Sequence, residues 1–264
     1  MNKLPLATVL LLGAASLMQG ATLVAWYDFE NSGTDASGNN RNLSGTGSGV
    51  AYGSATINGD TLKTVTFSGN STTGNAVGTS YLSLASGNMG ITNESFSVSF
   101  WANSSGAGAW RDLVSFCDSA SNGFKFETKA DAENNPITIY STGVTFTPAV
   151  PNDLSSRNAW HHYALTVDSL MMSFYIDNFL VASATIDSGT QSGLITTFLV
   201  GRRYNGGTGW NGSIADLQVY EGALTAVELN EIYLNHTPIP EPSTYIWAGV
   251  GLGALILIRR RLTK

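Results

Sequence analysis

The chain predicts an all-β sandwich or barrel, on three observations. Apolar residues recur with a period of two through most of residues 23–220, which puts alternate side chains on opposite faces of a strand. The runs are short and separated by turns, and 29 glycines among 264 residues suit that many turns. Within residues 22–236 only one stretch carries helix signals. An apolar content of 43% supports a real core, in one large domain or two small ones.

Taken in order, residues 23–30 alternate and run into a Gly/Asn/Asp-rich loop. Residues 64–68 and 81–84 are short strand candidates. Residues 95–102 give the cleanest pattern, with Phe96, Val98, Phe100 and Ala102 on one face and Ser97, Ser99 and Trp101 on the other. Residues 111–117, 124–128 and 137–140 follow at turn-separated intervals. Residues 160–168 and 172–183 come next. Within the latter, Asp177-Asn178 separates two apolar runs as a two-residue hairpin turn, because both residue types tolerate positive φ. Residues 198–201 and 214–220 close the series. The Gly/Ser/Thr-rich segments 44–54 and 69–79 read as loops within the domain, since strands resume directly after each. Thr225 and Glu228 form a capping box ahead of Leu229, Ile232 and Tyr233. This predicts one surface helix docked on the sheets.

Charge narrows the partners. Charged residues are only 12% of the chain, and the net charge is −6. The terminal segments hold five cations and one anion, so residues 22–240 carry 8 cations and 18 anions, a net −10. Such a body argues against nucleic acid, whose phosphates need a basic face. It is compatible with cations, neutral glycans or basic surfaces. The single cysteine, Cys117, forms no internal disulfide and reads as a buried inert thiol among apolar neighbours.

Both termini read as addresses. Lys3 precedes an apolar run from Leu4 to Met18, then Gly20 and Ala21. This is the pattern of a secretory signal peptide, residues 1–21. A domain at 22–236 and a linker at 237–244 follow, and 245–264 is an apolar segment with a basic end. The apolar residues 245–258 would make a helix of roughly 21 Å, short against a hydrocarbon core of about 30 Å unless the flanking arginines snorkel. Arg259, Arg260 and Arg261 would set the C-terminus on the cytoplasmic side. An ordinary C-terminal anchor would look similar. With Pro240, Glu241 and Pro242 in front, however, the order of parts resembles the PEP-CTERM sorting tail. That resemblance implies inner-membrane anchoring, processing by an exosortase-type enzyme, and transfer to the cell surface or extracellular matrix.

Four further pieces, in order, resemble the laminin-G-like, concanavalin A-like jelly roll. They are residues 24–40, residues 95–101, residues 160–182 and residues 212–228. The resemblance implies the fold far more than the function, since this fold hosts lectins, adhesion modules, pentraxin-like binders and glycosidases. The chain departs from the family pattern at Asp177-Asn178, where Asp-Gly is common, and at Ala215, where a polar residue is common.

Glycoside hydrolysis needs two carboxyl groups about 5–9.5 Å apart. The related laminarinase-type Glu-x-Asp-x-x-Glu run is absent; the closely spaced pairs are Asp28/Glu30, Asp131/Glu133 and Glu228/Glu231. The adjacent His161 and His162 point to opposite faces of a strand and cannot share a metal from there. Calcium takes six to eight oxygens, and the loop 31–40 offers Asp35 and Asn39. The family resemblance implies a structural calcium between this loop and Asp216; Asp28 is a further candidate ligand from the sequence. An Asx-type turn without an ion is the alternative. Trp110, Tyr204 and Trp210, with Arg202, Arg203 and Asn205 beside them, could build a glycan-stacking face. Alternatively these rings close the ends of the core. The expectation is therefore an exported, non-catalytic glycan-binding or adhesion protein, its partner a glycan or extracellular matrix polysaccharide. A glycoside hydrolase or lyase of the same fold, and a structural matrix protein without a ligand, are the alternatives.

Overall fold

A computed structural model describes residues 20–70, 78–85, 87–92, 94–104, 111–118, 123–128, 138–141, 144–146, 159–169, 171–185, 193–204 and 209–239. The strands are β1 (Thr22–Tyr27), β2 (Leu43–Thr46), β3 (Val50–Ile57), β4 (Asp60–Phe67), β5 (Tyr81–Leu84), β6 (Ser95–Ser104), β7 (Arg111–Cys117) and β8 (Gly123–Thr128). They continue as β9 (Thr138–Ser141), β10 (Val144–Phe146), β11 (His161–Asp168), β12 (Met171–Ile176), β13 (Phe179–Thr185), β14 (Thr197–Val200) and β15 (Gly212–Glu221), and end in the helix α1 (Ala226–Asn235).

The strands form two antiparallel sheets. One runs β13-β12-β11-β6-β15-β4-β3, with β1 also on β15; the other runs β10-β9-β8-β7-β14-β5-β2. We call them the first and the second sheet. Their facing sides share one core, because period-two strands send every second side chain inward. Phe96, Val98 and Phe100 from β6 are fully buried there, as are Phe124 and Phe126 from β8. Phe96 meets Phe124 edge-on at 5.0 Å and Phe100 meets Phe126 at 4.8 Å. Such edge contacts suit the ring quadrupoles.

The first sheet buries its outer face as well. The predicted capping box closes α1: Glu228 N donates to Thr225 Oγ1, and Thr225 N donates to Glu228 Oε2 at 2.7 Å. The helix lays Leu229 and Ile232 on Ala164 and Tyr220. Tyr233 stacks on Trp101 at 5.3 Å.

Two sequence expectations need correction. Residues 44–54 are not a loop; they hold part of β2 and the first half of β3. β3 and β4 pair in full register, Val50 to Phe67 through Ile57 to Asp60, around Asn58 (φ 51) and Gly59 (φ 94). Two successive positive φ values are what a type I′ hairpin requires. Strand β10 also went unread. The turn expected at Asp177-Asn178 is present, with φ of 48 and 66.

Candidate functional site

Strand β15 changes neighbours halfway along. Gly212–Ile214 pair with β4, and Leu217–Glu221 pair with β1. Between these stretches the register against β6 slips, and Asp216 takes φ 46. A bulge re-aims a side chain in this way. Just past β1, Phe29 (φ 55) and Asn31 (φ 65) turn the chain away from the sheet. The result is a cleft of about 170 Å³ between the end of β1 and the start of β4. Trp26, Asp28 and Glu30 line it from the β1 side, Leu62 and Lys63 from β4, and Asp216 and His236 from the remaining walls.

Asp216 is 4% exposed. Its Oδ1 accepts from Trp26 Nε1 at 2.9 Å and from Gln218 Nε2 at 2.8 Å. Its Oδ2 is buried and has no hydrogen-bond partner. Burial pushes this carboxyl up to about 6; the Gln218 and Trp26 bonds pull it down, and the Asp28 charge raises it further. Glu30 meets Lys63 at 3.6 Å, an exposed pair. His236 is held below its usual value by burial, partly offset by Asp60, whose Oδ2 lies 3.6 Å from Nε2. Gln218 Oε1 in turn accepts from Tyr220 Oη at 2.6 Å, and that oxygen accepts from Ile239 N at 3.3 Å. The cleft floor is thereby tied to the segment leading into the C-terminal tail.

The outer face of the second sheet carries a different cluster. Asp112 and Glu127 are opposed across β7 and β8, a placement that could serve a glycosidase pair. Both are already held by cations. Arg203 spans them, with Nε 3.1 Å from Asp112 Oδ2 and an Nη 3.2 Å from Glu127 Oε2. Lys125 Nζ lies 3.8 Å from Asp112 Oδ1 and also contacts Glu127. The carboxylates are 0% and 2% exposed. A buried pair of this kind is costly to break. Asp112 and Glu127 are 15 residues apart in the chain and meet only across strands, so spacing along the sequence does not pair them. The signal was there: Lys125 and Glu127 alternate with Phe124 and Phe126 on β8.

Of the glycan residues expected from sequence, Trp210, Arg202 and Tyr204 are described. Trp210 is 1% exposed and packs on Phe67 at 6.2 Å, so its ring closes the end of the core and is no free stacking surface. Arg202 is half-buried, its guanidinium 4.6 Å over the Tyr81 ring. Tyr204 is half-buried in the loop beyond it. Trp110 and Asn205 lie outside the described residues, as do residues 1–19, Pro240, Glu241, Pro242, Arg259, Arg260 and Arg261. Among the described residues no helix is long and apolar enough to cross a membrane.

Of the expected calcium ligands, Asp28 and Asp216 line the cleft and Asp35 and Asn39 sit in the loop after β1. Asp35 Oδ1 accepts from Trp26 N at 3.0 Å and Ser37 N at 2.9 Å, and Oδ2 accepts from Arg41 N at 2.9 Å. It organises its loop as an Asx-type turn. Asn39 Nδ2 donates to Leu23 O and Val24 O, both at 3.1 Å, tacking the loop to β1. Among the described residues no three His, Cys, Asp or Glu side chains are grouped to hold a metal ion.

Ser99 Oγ lies 2.7 Å from His162 Nε2. At 0% and 1% exposure the two are sealed beneath α1. Asp177 completes no triad: it accepts from His162 N at 2.8 Å and lies 2.6 Å from His161 Nδ1. Cys117 is buried, and burial raises its thiol.

A two-sheet antiparallel sandwich with one short helix defines a jelly-roll module. Residues 76–230 match the family model described as the concanavalin A-like lectin/glucanases superfamily, and the chain belongs to that superfamily. Domain 4 of AbnA, a GH43 extracellular arabinanase from Geobacillus stearothermophilus, solved in complex with arabinotriose, is similar over 81% of this chain and 99% of its own, at 20% identity and a TM-score of 0.59. The binding domain of Paraclostridial Mosquitocidal Protein 1 is similar at 19% identity and 0.58, covering 81% of this chain and 52% of its own. The binding domain of botulinum neurotoxin DC, solved with rat synaptotagmin II, is similar at 15% identity and 0.57, over 82% and 52%. The chain thus spans about half the length of those two toxin domains. A comparison with curated proteins returned no match.

Proposed function

We propose that the chain is a non-catalytic carbohydrate-binding module. The observation that carries this reading is the cleft beside β15, where a half-buried indole, Trp26, stands next to Asp28 and the buried Asp216. An aromatic wall with a few fixed polar groups is how a sugar face is held. The arabinotriose held by the similar arabinanase domain supports this by analogy of fold. Hydrolysis is disfavoured because Asp112 and Glu127, the acids opposed across β7 and β8, are each bound to two cations.

The sequence supports export and sorting. In this reading residues 1–21 are a signal peptide, 22–236 the binding domain, 237–244 the linker with Pro240-Glu241-Pro242, and 245–264 a membrane helix with a basic end. The protein is held at the inner membrane, processed by an exosortase-type enzyme, and delivered to the surface or matrix.

A glycan array tests the binding reading. The wild-type domain is expected to retain polysaccharide ligands, and Trp26→Ala to lose them by roughly tenfold or more in affinity. Reducing-sugar release that disappears in Asp28→Asn would instead establish a hydrolase.

A further inference from the structure

We propose that the cleft between β1 and β4 binds the free ammonium of a de-N-acetylated amino sugar, with the sugar ring on Trp26 and the cation toward Asp28 and Asp216. This rests on the carbohydrate-binding reading and names the ligand class of that site.

The charges select a cation. Asp28, Glu30 and Asp216 line the cleft against one lysine, Lys63. Lys63 is committed to Glu30 at 3.6 Å, so an ammonium already sits beside a carboxylate at the mouth. His236 has its imidazole pushed toward the neutral form, so it adds no competing charge near neutral pH. The second observation is the Asp216 carboxylate itself, 4% exposed, lining the cleft, with Oδ2 lacking any hydrogen-bond partner. A buried anion left in that state calls for a positive partner. A neutral sugar supplies hydroxyl donors but no charge.

The size and shape of the cleft suit a body larger than a bare ion. The cleft of about 170 Å³ holds about six waters at roughly 30 Å³ each, the scale of one sugar ring. No three ligating side chains are grouped for a metal among the described residues. Trp26 is half-buried, and its Nε1 bond to Asp216 fixes the plane of the indole. An aromatic face beside carboxylates attracts an organic cation through the ring quadrupole as well as through charge. One body then satisfies both walls: an apolar ring face for Trp26 and an amine for the carboxylates.

Isothermal titration of the domain with a glucosamine tetramer and with its N-acetylated counterpart decides the matter. The amine is expected to bind at least about tenfold tighter. Asp28→Asn should remove most of that advantage. Lys63→Met should increase it by freeing Glu30, an effect no loss of fold would produce. Asp168→Asn, an exposed acid at the end of β11, should leave it unchanged. Equal affinity for both oligomers, with neutral glycans still bound, overturns this inference and leaves the carbohydrate reading intact. An equal loss from Asp168→Asn reduces the effect to net charge and overturns it also. Calcium chloride that raises the melting temperature and blocks the amine assigns the cleft to a metal. No glycan bound in any form ends both readings.

Discussion

His162 and Asp216 are both buried on the outer side of the first sheet, yet acid acts on them with opposite sign. Burial lowers His162 to about 3, against 6.5 for an ordinary histidine. Its neutral form belongs to the fold, so stability is full above 6.5 and is lost as pH falls from there toward 3. Asp216 is raised from 3.8 to about 6. Its contribution is present below 3.8 and is lost as pH rises through 6. Thermal denaturation across this range, without ligand, separates them. Asp216→Asn is expected to raise the melting temperature at neutral pH and to change little in acid. His162→Gln is expected to flatten the acid limb. A neutral-pH melting temperature lowered by Asp216→Asn would contradict the assignment. The residue scale is also where sequence reading was weakest. Asp35 accepts from three backbone N–H groups that only the folded loop brings together.

Elements were mostly legible, and the exceptions have a cause. The capping box at Thr225 was readable because it is local: a hydroxyl reaches an N–H three residues away. Thr225→Ala is expected to cost about 1 kcal/mol by chemical denaturation, within the range of about 0.5–2 for lost N-caps. An unchanged midpoint would mean that packing of Leu229 and Ile232 alone holds α1. β6 was read because Phe96, Val98, Phe100 and Ala102 all reach the core. β3 was missed because it lies at a sheet edge, where five of its eight residues, read as a loop, are Val50, Ala51, Tyr52, Gly53 and Ser54 and the strand stays largely exposed. A strand with little to bury leaves little hydrophobic pattern. Asn58-Gly59 at the adjoining turn was the available signal.

At the scale of the whole molecule, α1 and Ile239 seal the outer face of the first sheet just before the tail begins. The proposed sorting route therefore starts from a packed corner of the domain. Removal of residues 240–264 is expected to shift the protein from the membrane fraction to the soluble exported fraction, as followed by fractionation of an expressing cell. Equal distribution of the two forms would retire the anchor. Arginine replacement at 259–261 by glutamate should disturb the same retention, since basic flanks orient such segments.

Composition, period and local signals determined the class of fold, most strands, the single helix and the acidic balance, because each depends on neighbours a few residues apart. The family resemblance followed from those pieces in their order. What only the tertiary structure decided was which side chains meet. Asp112 and Glu127 face each other across two strands, and Arg203 reaches both from a distant loop. The cleft exists because β15 exchanges one partner strand for another near Asp216, and the position of that exchange depends on pairing between segments far apart in the chain, Trp26 and Asp216 being 190 residues apart. No local preference encodes such a meeting; it is set by the packing of the two sheets.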